Sequence, residues 1–151
     1  MKKKRSARLS VVLDLEVRKK KEADKFLANQ VKKVESDKLQ LQQLENYLNE
    51  YQEQYKVDCK KGISIAHLTS YQAFMNKIST VIEQHKAAMK YNQEQLVGVR
   101  KYWSKVHARH NAVDGLIEKI KIKEQQVEDK SLQKMIDEMS QLNLSKKSPI
   151  F

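Results

Sequence analysis

Residues 68–127 read LTSYQAFMNKISTVIEQHKAAMKYNQEQLVGVRKYWSKVHARHNAVDGLIEKIKIKEQQV. Stepping three and four residues alternately from Leu68 lands on Tyr71, Met75, Ile78, Ile82, His85, Met89, Asn92, Leu96, Val99, Trp103, Val106, His110, Val113, Ile117, Ile120, Glu124 and Val127. Fourteen of these eighteen positions are apolar. A period of 3.5 residues is the seam of a left-handed coiled coil, whereas the face of a globular helix repeats at 3.6. A two-helix rod has no pocket, so most enzyme classes are excluded before any motif is sought.

Working outward from this stretch, residues 8–57 carry an earlier repeat. Leu13, Lys20, Leu27, Val34, Leu41, Leu48 and Tyr55 form one row, and Leu9, Glu16, Ala23, Gln30, Asp37, Leu44 and Tyr51 the other. The half toward Tyr55 is strongly apolar; the middle is weak, with Gln30 and Asp37 in core rows. Asp58 to Ile63 reads as a turn in which Gly62 supplies the left-handed geometry a reversal needs. Ser64 is placed to cap the next helix. The expected organisation is all-α: a basic flexible tail over residues 1–7, helix one at about 8–57, a turn at about 58–63, helix two at about 65–142, and a flexible tail over 145–151. A short turn between long helices makes an antiparallel hairpin. Pairs whose numbers sum to 126 set small Ala23 opposite Trp103, and Glu16 opposite His110. Past Val127 the repeat slips, then resumes as Leu132, Met135, Met139 and Leu142.

The composition agrees with a helical reading. Glycine occurs only at 62, 98 and 115 and proline only at 149, while 32% of the chain is charged. The net charge of +11 suggests an acidic partner. The lysines are scattered, however, and three in succession on a helix point in three directions. No aromatic interleaving suited to base stacking accompanies them, so nucleic acid is not expected as a partner. A basic helical nucleic-acid binder would reveal itself by duplex binding that falls steeply with salt. Cys59 is the single cysteine and fits a reducing compartment. Met1 to Arg5 is basic like the start of a signal peptide, but Asp14 and Glu16 interrupt the segment that would have to be apolar, so secretion is not expected. No apolar run approaches membrane-spanning length.

Chemistry-bearing sets are sparse. His67, His85, His107 and His110 complete no ligand set at metal spacing. His85 and His110 fall in core rows, where a polar residue sets register. There is no phosphate-binding glycine loop and no nucleophile elbow. No catalytic residue, cofactor or metal is expected.

Two surfaces stand out instead. Gln40, Leu44, Tyr47 and Tyr51 occupy the g and d rows of helix one; Phe74, Ile78, Val81 and His85 occupy the same rows of helix two. In an antiparallel pair the two g rows flank the same side of the seam, so these eight residues should merge into one apolar and aromatic face. Leu44, Tyr51, Ile78 and His85 are accounted for as core. Tyr47, Phe74 and Val81 are not, and aromatic side chains outside the core rows suit an interface. The second surface follows from helix lengths. A helix one that starts near residue 8 covers helix two only to about residue 118, leaving Ile120, Val127, Met135, Met139 and Leu142 as an unpartnered stripe.

The run Leu44-x-x-Tyr47-x-x-Glu50-Tyr51, then Gly62-Ile63-Ser64, then Tyr71-Gln72-x-Phe74-x-x-x-Ile78, ending with Gln84-His85, resembles the flagellar export protein FliJ family over about residues 40–85. Length, basic charge and the two-helix layout are similar across the rest. The resemblance implies a coiled-coil hairpin similar in form to the central stalk of rotary ATPases. It also implies a component of the flagellar type III export apparatus, in the cytoplasm and peripherally associated with the inner membrane at the flagellar base. The partners it implies are the export ATPase FliI with its regulator FliH, the cytoplasmic domain of the export gate protein FlhA, and export chaperones. The family's gate-binding face is matched in type by Gln40, Leu44, Tyr47, Tyr51, Phe74 and His85; Ile78 and Val81 stand where the family has Leu and Ala. The stalk likeness places the stripe after residue 118 in the ATPase ring. The alternative is a stalk protein of an injectisome type III secretion ATPase or of another rotary ATPase.

Overall fold

The computed structural model describes residues 4–147. Helix α1 spans Arg5–Lys61 and helix α2 spans Ile65–Lys147, and they pack against each other as an antiparallel pair. Both helices exceed the bounds their repeats suggest: α1 begins three residues before position 8 and ends four after position 57. Residues 5–7 and 145–147, expected as tail, are helical; residues 1–3 and 148–151 lie outside the described residues.

The reversal is therefore only Gly62–Ser64 long. Gly62 has φ of 86°, a conformation costly for a side chain with Cβ, and its N–H donates to the Cys59 carbonyl at 3.2 Å. Lys60 and Lys61 sit in the last turn of α1, where cations oppose the helix dipole. Ser64 caps α2: the His67 N–H donates to Ser64 Oγ at 3.2 Å.

The chain divides into two compact units, residues 21–105 around the turn, and residues up to 20 together with those from 106 onward. In the first, Ala23, Val34, Ile78 and Ile82 are buried. The polar core residues of this unit find partners across the seam. Asn92 Nδ2 donates to Asp37 Oδ2 at 2.6 Å. Gln30 Nε2 donates to the Asn92 carbonyl at 2.8 Å. His85 Nε2 lies 2.8 Å from the Asp37 carbonyl; a carbonyl only accepts, so Nε2 carries the hydrogen. Trp103 Nε1 donates to Asp24 Oδ1 at 2.7 Å, beside the fully buried Ala23.

In the second unit Val106, Ile117 and Ile120 are buried. Glu16 is 1% exposed, but its partner is Arg109, whose Nε stands 3.1 Å from Glu16 Oε1. His110, expected opposite Glu16, instead contacts Asn111. The start of α1 is closed by α2. Glu124 accepts from Ser6 Oγ at 2.6 Å and from the Ser6 N–H at 3.2 Å. It thus supplies the carboxylate that the acid-free first turn of α1 lacks. These bonds hold the Glu124 carboxyl below its ordinary range, the Ser6 hydroxyl contributing most. Lys4 pairs with Glu128. The Ser6–Glu124 numbers sum to 130, against 126 for Tyr55 and Tyr71 near the turn. With α1 starting at Arg5, this carries coverage of α2 past residue 118, to Glu124. Ile120 is consequently 8% exposed and belongs to the packed seam, correcting its expected place in the uncovered stripe.

Candidate partner-binding surfaces

The first candidate face is built by residues about three to four helical turns from the reversal. Tyr51 comes from the d row of α1 and Phe74 from the g row of α2, and their ring centroids lie 4.5 Å apart. Tyr47 stands one helical turn earlier on α1, 6.5 Å from Tyr51. It meets Phe74 edge-on at 6.2 Å with an interplanar angle of 75°. Aromatic pairs favour such tilted geometry, so Phe74 and Tyr51 fix the Tyr47 ring while leaving it 50% exposed. Gln40, Gln43, Leu44 and Tyr47 line a shallow depression alongside.

The eight residues of the expected face do not all reach the surface. Gln40, Tyr47 and Val81 are exposed; Leu44, Tyr51, Phe74 and His85 are half-buried; Ile78 is buried. Ile78 therefore belongs to the packed seam and not to the exposed face. His85 is held by its bond to the Asp37 carbonyl.

The aromatic cluster extends beyond those eight. Tyr71 lies 5.1 Å from Tyr51 and 5.5 Å from Tyr55, with His67 stacked at 6.0 Å. The Tyr71 hydroxyl donates to Asp58 Oδ2. That bond is the main reason the Tyr71 phenol is pushed up to about 12, with burial second. The same bond is the main reason the Asp58 carboxyl is lowered. Tyr55 is also raised, chiefly through a bond with the Cys59 thiol. Tyr55 and Tyr71 were visible in the core rows, but nothing in a row assignment says that two core tyrosines and Asp58 join the aromatic face. Asp58 reads as a turn residue by type, while α1 continues through it.

The second candidate surface is the end of α2. Every residue from 125 to 146 is exposed. Val127 is 67% exposed, and Leu132, Met135, Ile136, Met139 and Leu142 are likewise open. Of the expected stripe, Val127, Met135, Met139 and Leu142 thus remain as surface; Ile136, which the repeat passes over, adds to it. A shallow depression at the start of this segment is lined by Lys4, Arg5, Ile120, Lys123, Glu124, Val127 and Glu128.

Among the described residues no cluster of three His, Cys, Asp or Glu side chains could hold a metal ion. No helix there is long and apolar enough to cross a membrane. No curated protein and no solved structure matches the chain. A family model described as "Flagellar FliJ protein" matches residues 5–148. That span takes in both helices, the reversal between them and the aromatic face, and the chain belongs to the flagellar FliJ protein family, a component of flagellar type III export.

Proposed function

We propose that the chain is a non-catalytic coupling protein of flagellar export, joining the FliI ATPase ring, with its regulator FliH, to the cytoplasmic domain of the gate protein FlhA and handling export chaperones. It acts in the cytoplasm at the inner-membrane base of the flagellum, and flagellum assembly and motility depend on it. The observation that carries the reading is the Tyr47 ring. It is half exposed, outside the core rows, and held in place by Phe74 and Tyr51. A rigid aromatic side chain loses little entropy when a partner covers it, which is what an interface anchor requires. FlhA engages this face. The exposed end of α2, with Val127, Met135, Met139 and Leu142, enters the ATPase ring and promotes its assembly and ATP hydrolysis. Gate engagement and ATP use are thereby linked through one protein.

The test is capture of the chain by the FlhA cytoplasmic domain. Tyr47→Ala weakens capture by about 30-fold or more if Tyr47 is an anchor. Phe74→Ala added to it abolishes capture. Because Phe74 also packs on Tyr51, circular dichroism must show the double variant folded, and Tyr47→Ala alone is the cleaner comparison. Unchanged binding in both variants removes the aromatic face from the reading.

A further inference from the structure

The slip in the repeat after Val127 changes which side of α2 is apolar. The seam that faces α1 runs through Ile117, Ile120 and Glu124; continued in phase it would pass Val127 and Lys134. The apolar positions that follow are Leu132, Met135, Met139 and Leu142, one residue later in phase. One residue on a helix is a rotation of roughly 100°. The exposed stripe is therefore a separate seam, not an unfinished part of the first.

Extended by its own spacing, this second seam runs Glu128, Leu132, Met135, Met139, Leu142, Lys146. Its two ends carry opposite charges and its middle is apolar. Laid antiparallel on a second copy of itself, with paired numbers summing to 274, it gives Glu128 opposite Lys146, Leu132 opposite Leu142, and Met135 opposite Met139, each occurring twice by symmetry. Row a meets row d throughout, as antiparallel packing needs. Ile136 lies beside the seam on the side where it meets its own symmetry mate. A parallel pairing would set Glu128 on Glu128 and Lys146 on Lys146. Glu138 flanks the other side and meets its mate as a like pair; Lys134, one turn away on the same helix, offsets it.

We infer that residues 128–146 of α2 form an antiparallel homodimer with a second copy of this chain, a contact distinct from the intramolecular seam. The segment is about 27 Å long. Five apolar side chains from each copy cover on the order of 1,000 Å² in total, the size of a weak, reversible interface. Association therefore appears at tens to hundreds of micromolar. Because the same side chains are proposed to enter the ATPase ring, a dimer masks them in the free protein, although the dimer stands whether or not that ring contact does.

The experiment is sedimentation equilibrium of the full chain across concentrations up to 1 mM (roughly spanning the affinity range argued from size). A monomer–dimer equilibrium is expected. Lys146→Glu alone weakens it on the order of tenfold, since it replaces two attractive pairs by repulsive ones; Glu128→Lys does the same while also breaking the pair with Lys4 of its own chain, and the two together restore the dimer. In a Cys59→Ser background, chains carrying Met135→Cys mixed with chains carrying Met139→Cys cross-link to each other in preference to themselves. A strict monomer at every concentration, insensitivity to both charge reversals, or self-linking of each single variant as in a parallel pair overturns the proposal. Monomeric chain whose 128–146 segment is protected only on adding FliI would assign the stripe to the ATPase instead.

Discussion

Replacing Glu16 by leucine should make this protein more stable, although Glu16 holds the shortest inter-helix ion pair of its unit with a buried member. Its carboxylate is 1% exposed. Oε1 is met by Arg109 Nε at 3.1 Å and Lys19 Nζ at 4.0 Å, while Oε2 is buried without a hydrogen-bond partner. An unsatisfied buried oxygen costs about 1–3 kcal/mol, more when charged. Against this stands the attraction to Arg109, whose side chain is 68% exposed; a pair with one member so well hydrated contributes about 1 kcal/mol or less. Leucine in a core row adds about 1 kcal/mol of apolar burial beyond the glutamate methylenes already covered. The balance favours Glu16→Leu by about 2 kcal/mol, which for a chain of this size raises Tm by roughly 4–8 °C. Arg109→Ala, which strips the carboxylate of its nearer partner, should instead cost about 1–3 kcal/mol, and in the Glu16→Leu background it should cost almost nothing. Urea and thermal unfolding followed by circular dichroism measure all four proteins of this cycle. A Glu16→Leu variant that is folded yet less stable by about 1 kcal/mol or more would refute the reasoning, because the carboxylate would then be a net contributor.

Gly98 and Gly115 lie within α2 on its exposed face, with nothing within 4 Å of where a Cβ would stand. Gly98→Ala and Gly115→Ala should each stabilise by about 0.5–1 kcal/mol, additively, in the same unfolding assay. The Tyr71 phenol, raised to about 12 by Asp58, should give a late step in a phenolate absorbance titration. Its contribution to stability is complete below the unfolded value near 10 and is lost as pH rises toward 12; Asp58→Ala should bring its ionisation back toward 10. Glu124 behaves oppositely: its carboxyl is lowered on folding, so its contribution is present above the ordinary carboxylate range and is lost as pH falls below it. The protection of the Ser6 amide, taken relative to its intrinsic exchange rate at each pH, should fall in acid, and Glu124→Gln should remove that fall.

The seam was legible because coiled-coil packing depends on spacing more than on side-chain identity. The positions of the rows through Leu9, Glu16, Ala23 and their successors, and through Leu68 to Glu124, are all buried or half-buried. Val127 is where the rule stops, since α1 has ended opposite it. The extent of coverage was less legible. Nothing local marks Arg5 to Ala7 as helical; Glu124, distant in sequence, closes that end through Ser6. The partner of Glu16 was misassigned by one residue, His110 for Arg109, because a long side chain reaches past its row. On the aromatic face, row membership set Tyr47 outside the core and Ile78 within it, but could not show that Phe74, also outside the core rows, is half-buried. The linkage of Tyr71 to Asp58 depends on α1 persisting through a residue type that favours turns.

A seven-residue repeat has an inherent weakness: sliding one helix by a heptad returns every leucine to an equivalent hole. The bonds among Gln30, Asp37, His85 and Asn92 remove that degeneracy. Two of them end on main-chain carbonyls, so they record the position of the backbone and not merely the kind of side chain opposite. A hairpin displaced by seven residues breaks these three bonds as they stand; because Gln30 and Asp37, like His85 and Asn92, are seven apart, some of the groups re-pair, and each one left stranded costs about 1–3 kcal/mol. Misaligned hairpins formed early in folding are thus held higher in energy, and the two arms settle with their ends at fixed offsets. For a protein whose exposed α2 segment begins only where α1 stops, that fixed offset is what gives the exposed segment a definite length.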